Sequence, residues 1–515
     1  MESNLFDEIN LGWLGKGHNT AIVFEGEEYN YDEIKRKTNA LIIKLTKLNV
    51  HEGTKIALIS KNNIFSVLLI LACAKIGALC APINDELNID QTEVQLKTIN
   101  PSLCIAESSR ILDLLGKKIS PDCNFILLSK IEDSCNESSE LDLIVCEKLC
   151  KWDSDLLLTS SSGSTGKPKP IVFSQRVKLL RAKSAITIWK LSSNSVVINA
   201  SPLHHSLGQR HLFIALLSQS TLILMKRFRS SDWIDLAIKY NANFAIPVTT
   251  HLRSLFSEER FKTIILSGQF SAIVSSSAEL SQDMRKIMSQ SPTNFYEMYG
   301  ASEIGTATII KLDDQSPKNS VGKAIKNCKI FIYHKDSDCS NTFNNVGEIC
   351  VVSPYAFTRY LGETKTPTLE IEDNQYFKTG DLGWMDNNGF LYYAGRLDDR
   401  VNVGGISVYL NDISESIKRL DFIVDVAIVG IYNDYFGMVP AAAVVLDSHH
   451  KAIAKLNETK IIKKIAAFLA SNLSPYQLPR IIKIYIDLPL LSSGKIDKQL
   501  LKYELKKDYD LINIK

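Results

Sequence analysis

The spacing of apolar and polar residues divides this chain into two textures. From residue 30 to about residue 300, short apolar runs alternate with stretches of helical spacing. Asn30-Tyr31-Asp32-Glu33 has the form of a capping box, and Ile34, Leu41, Leu45 and Leu48 then recur at helical intervals. Lys55–Ser60 predicts a strand, Ile64–Ile76 a helix and Ala78–Pro82 a second strand. Further on, strands at Val196–Ala200, Thr221–Met225 and Phe244–Ile246 are separated by helices at Leu207–Ser218 and Asp232–Tyr240. Ala272–Ser275 and Phe295–Met298 continue the series around a helix at about Ser281–Ser289. Strands alternating with helices of this length pair in parallel, with the helices covering the sheet.

After about residue 320 the strands shorten and turns multiply. Gly383–Met385 and Phe390–Tyr393, joined through Asp386-Asn387-Asn388-Gly389, predict a hairpin. Past Arg396 the pattern resets, with a Gly404-Gly405 turn, a helix near Asn411–Leu420, strands at Val426–Gly430 and Ala441–Leu446, and a helix at Ile461–Asn472. The expected fold is α/β: a large N-terminal domain (residues 1–397) of parallel and mixed sheets covered by helices, then a small C-terminal α/β domain (398–515).

Composition narrows the classes. A length of 515 residues allows about three domain-sized units. The formal charge of +2, with no basic stripe among aromatics, gives no footprint for nucleic acid. The basic residues of the tail, Lys498, Lys502, Lys506 and Lys507, are offset by acids and predict a solvated face. The longest uncharged apolar run, Ile64–Ala74, is too short for a transmembrane segment. No secretory signal is visible, and the ten cysteines contain no Cys-x-x-Cys pair, which predicts reduced core thiols and a cytoplasmic protein.

Candidate chemistry sits in loops. Ser161-Ser162-Gly163-Ser164-Thr165-Gly166-Lys167-Pro168-Lys169 follows the apolar run Leu156–Leu158 and has the makings of a phosphate cradle. Its glycines allow close backbone approach, its hydroxyls and amides can donate, and its lysines add charge. A flexible Ser/Gly linker is the alternative. A Walker-type loop fits worse, because Pro168 stands where Ser or Thr is required. This run, Pro202–Gly208, Ser275–Ala278 and Tyr299–Glu303 each begin just after a predicted strand. Ligands of open α/β sheets bind beyond the carboxyl ends of the strands, so these loops are expected to share one site.

Taken in order, the motifs resemble those of the adenylate-forming superfamily: acyl- and aryl-CoA synthetases, peptide-synthetase adenylation domains and firefly-type luciferases. The resemblance runs from about Phe24 to Ile496. It implies that ATP and a carboxylic acid form acyl-AMP and pyrophosphate, and that the acyl group then passes to a thiol. It also implies a mobile C-terminal domain. Ser161–Lys169 resembles the loop that holds the β- and γ-phosphates, with Pro170 where glycine is common. Tyr299-Gly300-Ala301-Ser302-Glu303 resembles the element that walls the nucleotide, with Glu303 as the Mg²⁺ ligand and Ser161 beside the same ion. Ser277 and Ala278 would face the nucleotide, although Ser276-Ser277 replaces the usual Gly-Gly and would narrow the channel. Thr379-Gly380-Asp381 resembles the ribose-binding element. Arg396 would contact ribose or phosphate and Asp398 would be the hinge; a surface Arg396–Asp398 pair is the alternative. Gly494-Lys495-Ile496 resembles the element whose lysine neutralises the substrate carboxylate and α-phosphate.

Pro202-Leu203-His204-His205-Ser206-Leu207-Gly208 resembles the family's acyl-pocket motif, with His205 at the carboxylate end. His204 and His211 lack acidic or cysteine neighbours at metal-ligand spacing. No aspartate between Pro202 and Phe213 would pair with an α-ammonium, so a fatty, aryl or other acid lacking an α-amine is expected. Asn402, where many members have lysine, argues against light emission. The chain ends about twenty residues beyond Lys495 with no carrier domain, so the expected acceptor is CoA or the phosphopantetheine of a separate carrier protein. A catalytically silent nucleotide or acyl sensor is the reading from another class.

Overall fold

The computed structural model describes residues 4–116, 119, 122–136, 151–160, 169–276, 280, 282–313, 315–334, 345–363, 366–403, 406–433, 435–447, 450–453, 456–491 and 494–513. It divides into two compact units, Met1–Ile330 with Val351–Phe377 and Phe331–Cys350 with Lys378–Lys515.

Two sheets build the first unit. One runs Ser320–Ala324, Gly305–Lys311, Phe295–Ala301, Ala272–Ser275, Phe244–Ala245, Val196–Asn199, Thr221–Leu224, Thr20–Phe24 and Glu27–Asn30 in spatial order. Its inner six strands, from Phe295–Ala301 to Thr20–Phe24, are parallel, as their alternation with helices requires. The other runs Arg359–Tyr360, Pro170–Ser174, Asp155–Ser160, Leu79–Ile83, Lys55–Ile59, Leu103–Ala106 and Asn124–Leu127.

The helix Ile64–Ile76 lies in the largest apolar cluster of this unit and is buried on every face, which is why its sequence carries no polar stripe. Asn63 caps its start by accepting from the Ser66 amide, and Gly77 ends it in the left-handed conformation at φ 84°. The capping box expected at Asn30 and Glu33 closes reciprocally, at 2.8 Å each way, over the helix Tyr31–Lys47.

The second unit contains a sheet in which Gly437–Leu446 pairs with Ile423–Asn433, Arg400–Val403 and Ile482–Tyr485. Helices Leu410–Lys418 and Glu458–Asn472 contribute Ile413, Ile465 and Leu469 to its core. The hairpin at Asp386–Gly389 forms as expected but is longer, joining Asn374–Met385 to Leu391–Arg396.

The motif loops leave two sheets, Asp155–Ser160 belonging to the second sheet of the first unit and the other three leading strands to the first. Two expectations are corrected. Tyr299–Ala301 lies within its strand, which runs three residues further than predicted and folds straight back into Gly305–Lys311. The basic tail is half a core element: in the helix Lys498–Asn513, Leu501 and Leu505 are fully buried four residues apart.

Candidate active site

The helix Gln175–Trp189 organises the polar centre of the first unit. Its first turn is held by Gln175, which accepts from the Leu5 amide and donates to the carbonyl of Ala74. Lys178 and Arg181, three residues apart and both buried, sit over the ring of Phe173, at 3.7 and 4.7 Å from its centroid. Lys178 donates to Gln209 Oε1 at 2.6 Å. Gln209, itself fully buried, donates from Nε2 to Thr159 Oγ1 at 3.1 Å and to the carbonyl of Leu203 at 2.9 Å. One amide therefore ties the strand leading into residues 161–168 to the Pro202–Gly208 segment. The Ser161–Pro168 loop and Ser277 with Ala278 lie outside the described residues.

Arg181 braces the next motif. Its Nε donates to the carbonyl of Tyr355 at 2.7 Å, Nη1 to Ser206 Oγ at 3.2 Å, and Nη2 to the carbonyls of Ser302 at 2.8 Å and Glu303 at 3.3 Å. Glu303 is thereby fixed at a turn. Its Oε1 accepts from the Tyr360 hydroxyl at 3.1 Å, and burial beside that carboxylate raises the tyrosine above its ordinary range, keeping it a donor. Tyr360 is placed by a short strand, Arg359–Tyr360, on the edge of Pro170–Ser174. Pro170 fits there as the first residue of its strand, where it needs no N–H and its carbonyl accepts from Leu361 at 2.9 Å. Lys169 bonds Glu363 at 3.1 Å and stands over the Tyr360 ring.

Two glycines of these motifs are dictated by close approach. A Cβ on Gly300 would lie 2.0 Å from the carbonyl oxygen of Gly305, where the strand register shifts between Tyr299 and Gly300. A Cβ on Gly208 would lie 2.2 Å from the carbonyl oxygen of Pro202, so only glycine lets the helix Ser206–Ser218 start tightly against that loop.

The histidines separate by environment. His211 has its Nδ1 2.9 Å from the carbonyl of Leu207, and its Nε2 accepts from the Ile246 amide at 3.1 Å. That arrangement fixes Nδ1 as the protonated nitrogen, and burial pushes the pKa down to about 4. With both nitrogens occupied, His211 cannot ligate a metal. His204 and His205 pack with ring centroids 4.3 Å apart, and burial, with His205 adding to it, holds His204 well below the usual histidine range. Ser276 is buried, and its carbonyl accepts from Thr249 Oγ1 at 3.3 Å.

In the second unit, Asp381 and Arg396 face each other across the hairpin as a register pair. Arg396 Nε donates to Asp381 Oδ1 at 3.0 Å; the carboxylate is buried and the guanidinium is exposed. The side chain of Asp398, the partner considered from sequence, lies outside the described residues. Thr379 Oγ1 fixes the turn by donating to the carbonyl of Ile349 at 2.7 Å and accepting from the Asp381 amide at 3.1 Å. Asp398 lies in the short turn Leu397–Asp399, and the adjacent Asp399 pairs with Lys498 at 2.5 Å, tethering the turn to the last helix. Lys495 is exposed on a tight loop in which its carbonyl accepts from the Leu491 amide at 2.7 Å.

Sequence reading missed Lys178, Arg181, Gln209, Arg210 and Tyr360. The first two lie on a helix whose buried positions include cations, so its pattern shows no apolar stripe. Tyr360 had no motif to mark it.

A model described as AMP-binding enzyme matches residues 14–361, and one described as AMP-binding enzyme C-terminal domain matches 412–495. The chain is 26% identical over 493 residues to a 2-succinylbenzoate–CoA ligase of Listeria monocytogenes, covering 94% of this chain and 96% of that protein. It is 23% identical to the long-chain-fatty-acid–CoA ligase FadD13 of Mycobacterium tuberculosis, with 92% of each covered. Among solved structures, ATP-bound MatB from Rhodopseudomonas palustris superposes with a TM-score of 0.85 at 22% identity, over 99% of this chain and all of that one. The o-succinylbenzoate CoA synthetase of Bacillus subtilis, in complex with its acyl-adenylate intermediate, gives 0.82 at 21% identity, with 98% of each covered. Among the described residues no helix is long and apolar enough to cross a membrane.

Proposed function

We propose that this chain, which belongs to the AMP-binding enzyme family, activates a carboxylic acid with ATP to acyl-AMP and pyrophosphate and transfers the acyl group to CoA. The observation that carries the reading is Glu303, a carboxylate fixed by Arg181 and Tyr360 within a family motif and in the same unit as the strand that leads into the Ser161–Lys169 loop.

The donor set fits Mg²⁺. Glu303 is held through one oxygen, which leaves a hard carboxylate oxygen for a cation that takes its other ligands from water and phosphates. Ser161 is assigned to the same ion. Bound there, Mg²⁺ supplies charge neutralisation at the phosphates. The hydroxyls and backbone amides of Ser161, Ser162, Gly163, Ser164, Thr165 and Gly166, with Lys167 and Lys169, would grip the β- and γ-phosphates. Tyr299, Gly300, Ala301, Ser302, Ser277 and Ala278 would line the nucleotide. Asp381, already oriented by Arg396, offers its carboxylate to the ribose hydroxyls, and Arg396 offers its exposed donors to ribose or phosphate.

His205 is assigned to the carboxylate end of the acyl pocket, where a ring donor orients the attacking oxygen. That oxygen attacks the α-phosphorus, the bond to the β-phosphate oxygen breaks, and pyrophosphate leaves. Lys495 is assigned to neutralising the charge that builds on the carboxylate and α-phosphate; removing such a donor typically costs about 10²–10³ in rate. Residues 398–515 are assigned as the lid, with Asp398 as its hinge, and cytoplasm as the compartment. The test is product analysis with acid, ATP and either CoA or a holo-carrier protein. AMP, pyrophosphate and acyl-CoA in equal amounts support the reading; faster acylation of the carrier would move the acceptor assignment, and a protein that turns over no acid would be the silent sensor.

A further inference from the structure

Asn62 is buried beside the acyl-pocket segment and belongs to none of the motifs. It lies between the strand Lys55–Ile59 of the second sheet and the helix Ile64–Ile76, in a stretch that is tightly held. The next residue, Asn63, caps that helix by accepting from both the amide and the hydroxyl of Ser66, each at 2.7 Å. From this support the Asn62 side chain reaches the other sheet. Its Nδ2 donates to the carbonyls of Ser201 at 3.1 Å and Met225 at 2.9 Å, just beyond the strands Val196–Asn199 and Thr221–Leu224. Its Oδ1 accepts from the Leu203 amide at 2.8 Å. A neutral amide can give two protons and take one at a single point, which a hydroxyl or a carboxylate cannot.

These bonds complete the backbone pairing around Pro202. The Ser201 amide donates to Asn199 Oδ1 at 2.8 Å, and the Pro202 carbonyl accepts from the His205 amide at 3.0 Å. The Leu203 carbonyl accepts from Gln209 at 2.9 Å. Because Pro202 has no N–H, all five backbone groups of Ser201–Leu203 are paired, four of them with side-chain amides. The segment is neither helix nor strand, so these amides dictate its path. Asn62 alone spans the proline, holding a group on each side of it.

We propose that Asn62 is a positioning residue for acid activation: by clamping both sides of Pro202 it sets where the segment carrying His205 meets the acid. This rests on the adenylation reading and adds to it the residue that aligns the acyl end. A turn fixed in advance spares the reaction the entropy of ordering it, and a misplacement of about 1 Å remote from the chemistry can cost about 100-fold in rate. The Glu303 turn is braced by Arg181 through other bonds, so the acid and nucleotide ends should separate in kinetics.

The experiment is acid-dependent exchange of labelled pyrophosphate into ATP by the full-length protein, with a panel of aryl and straight-chain carboxylic acids, the best of them serving for the variants. Asn62→Ala should lower the maximal rate about 100-fold and leave the KM for ATP unchanged. Asn243→Ala is the control. Asn243 Oδ1 accepts from the Val196 amide at 2.9 Å, at the opposite end of the strand that leads to Ser201, so its loss disturbs the same sheet without touching the segment. That variant should keep wild-type acid kinetics. Wild-type rates in Asn62→Ala, a KM for ATP that worsens as much as use of the acid, or an equal loss in Asn243→Ala would overturn the inference and leave the adenylation reading intact. If Asn62→Ala does not fold, hydrogen exchange of the wild type decides. The Leu203 amide should be protected before acid is added and gain nothing from it; an amide that exchanges freely until acid binds would overturn the role. No pyrophosphate exchange by the wild type with any acid would overturn both readings.

Discussion

Arg181 donates to the carbonyl of Ser302 at 2.8 Å, across 121 residues of sequence, so a helix outside every motif holds the turn that carries Glu303. Arg181→Met would leave the carbonyls of Ser302 and Tyr355 without this donor in a buried setting. A destabilisation of about 3–5 kcal/mol is expected, the usual cost of breaking a buried charged network. Denaturant unfolding checks it. The rate of pyrophosphate exchange should fall as well, and a stable, fully active variant would refute the bracing role.

The pair formed by Asp381 and Arg396 makes a different prediction. Asp381→Asn keeps the size of the side chain but removes the charge that orients Arg396 and that is proposed to receive the ribose hydroxyls. The KM for ATP should rise about tenfold or more, each lost charged hydrogen bond being worth about 1.5–3 kcal/mol. Steady-state kinetics at saturating acid test this, and an unchanged KM for ATP would take Asp381 out of the nucleotide site.

His211 gives the fold a pH dependence with a fixed sign. Its folded pKa of about 4 lies below the ordinary histidine value, so between the two the unfolded chain binds more protons. Stability from this group is complete above the unfolded value and is lost as pH falls toward about 4. His251, also held at about 4 by burial and stacked on Phe228, acts in the same direction. The melting temperature of the wild type should drop more between neutral pH and about pH 5 than that of His211→Gln. Equal drops would show that His211 is not the titrating group.

How much of this was legible in sequence depended on whether a residue's pattern matched its environment. Ile64–Ile76 and the parallel series from Val196 to Phe295 were readable because uninterrupted apolar runs and turn residues agree with burial. The helix Gln175–Trp189 was not, because Lys178 and Arg181 are polar by type and buried in fact, held by Gln209, by backbone carbonyls and by the face of Phe173. The tail helix was half readable: its charges announced the wet face and hid Leu501 and Leu505. Of the candidate site, the motif residues were named from sequence, while Tyr360 and Arg181 reach Glu303 and its turn only through tertiary contacts, 57 and 121 positions distant at Glu303 and Ser302.

Gly300→Ala tests whether the strand turn tolerates any side chain. The added Cβ would sit 2.0 Å from the Gly305 carbonyl oxygen, so backbone must move. A loss of several kcal/mol is expected, or displacement of Glu303 with loss of exchange activity. Circular dichroism melts together with the exchange assay would show either, and a variant like wild type in both would contradict the geometry.

The central claim is that a carboxylate oxygen of the substrate attacks the α-phosphorus of ATP. Supplying an acid whose carboxylate is labelled with heavy oxygen, with ATP and CoA, and examining the products by mass spectrometry follows that oxygen directly. The account predicts one labelled oxygen in the phosphate of AMP and none in pyrophosphate. Label in inorganic phosphate with ADP as the nucleotide product, or unlabelled AMP beside newly formed thioester, would contradict it.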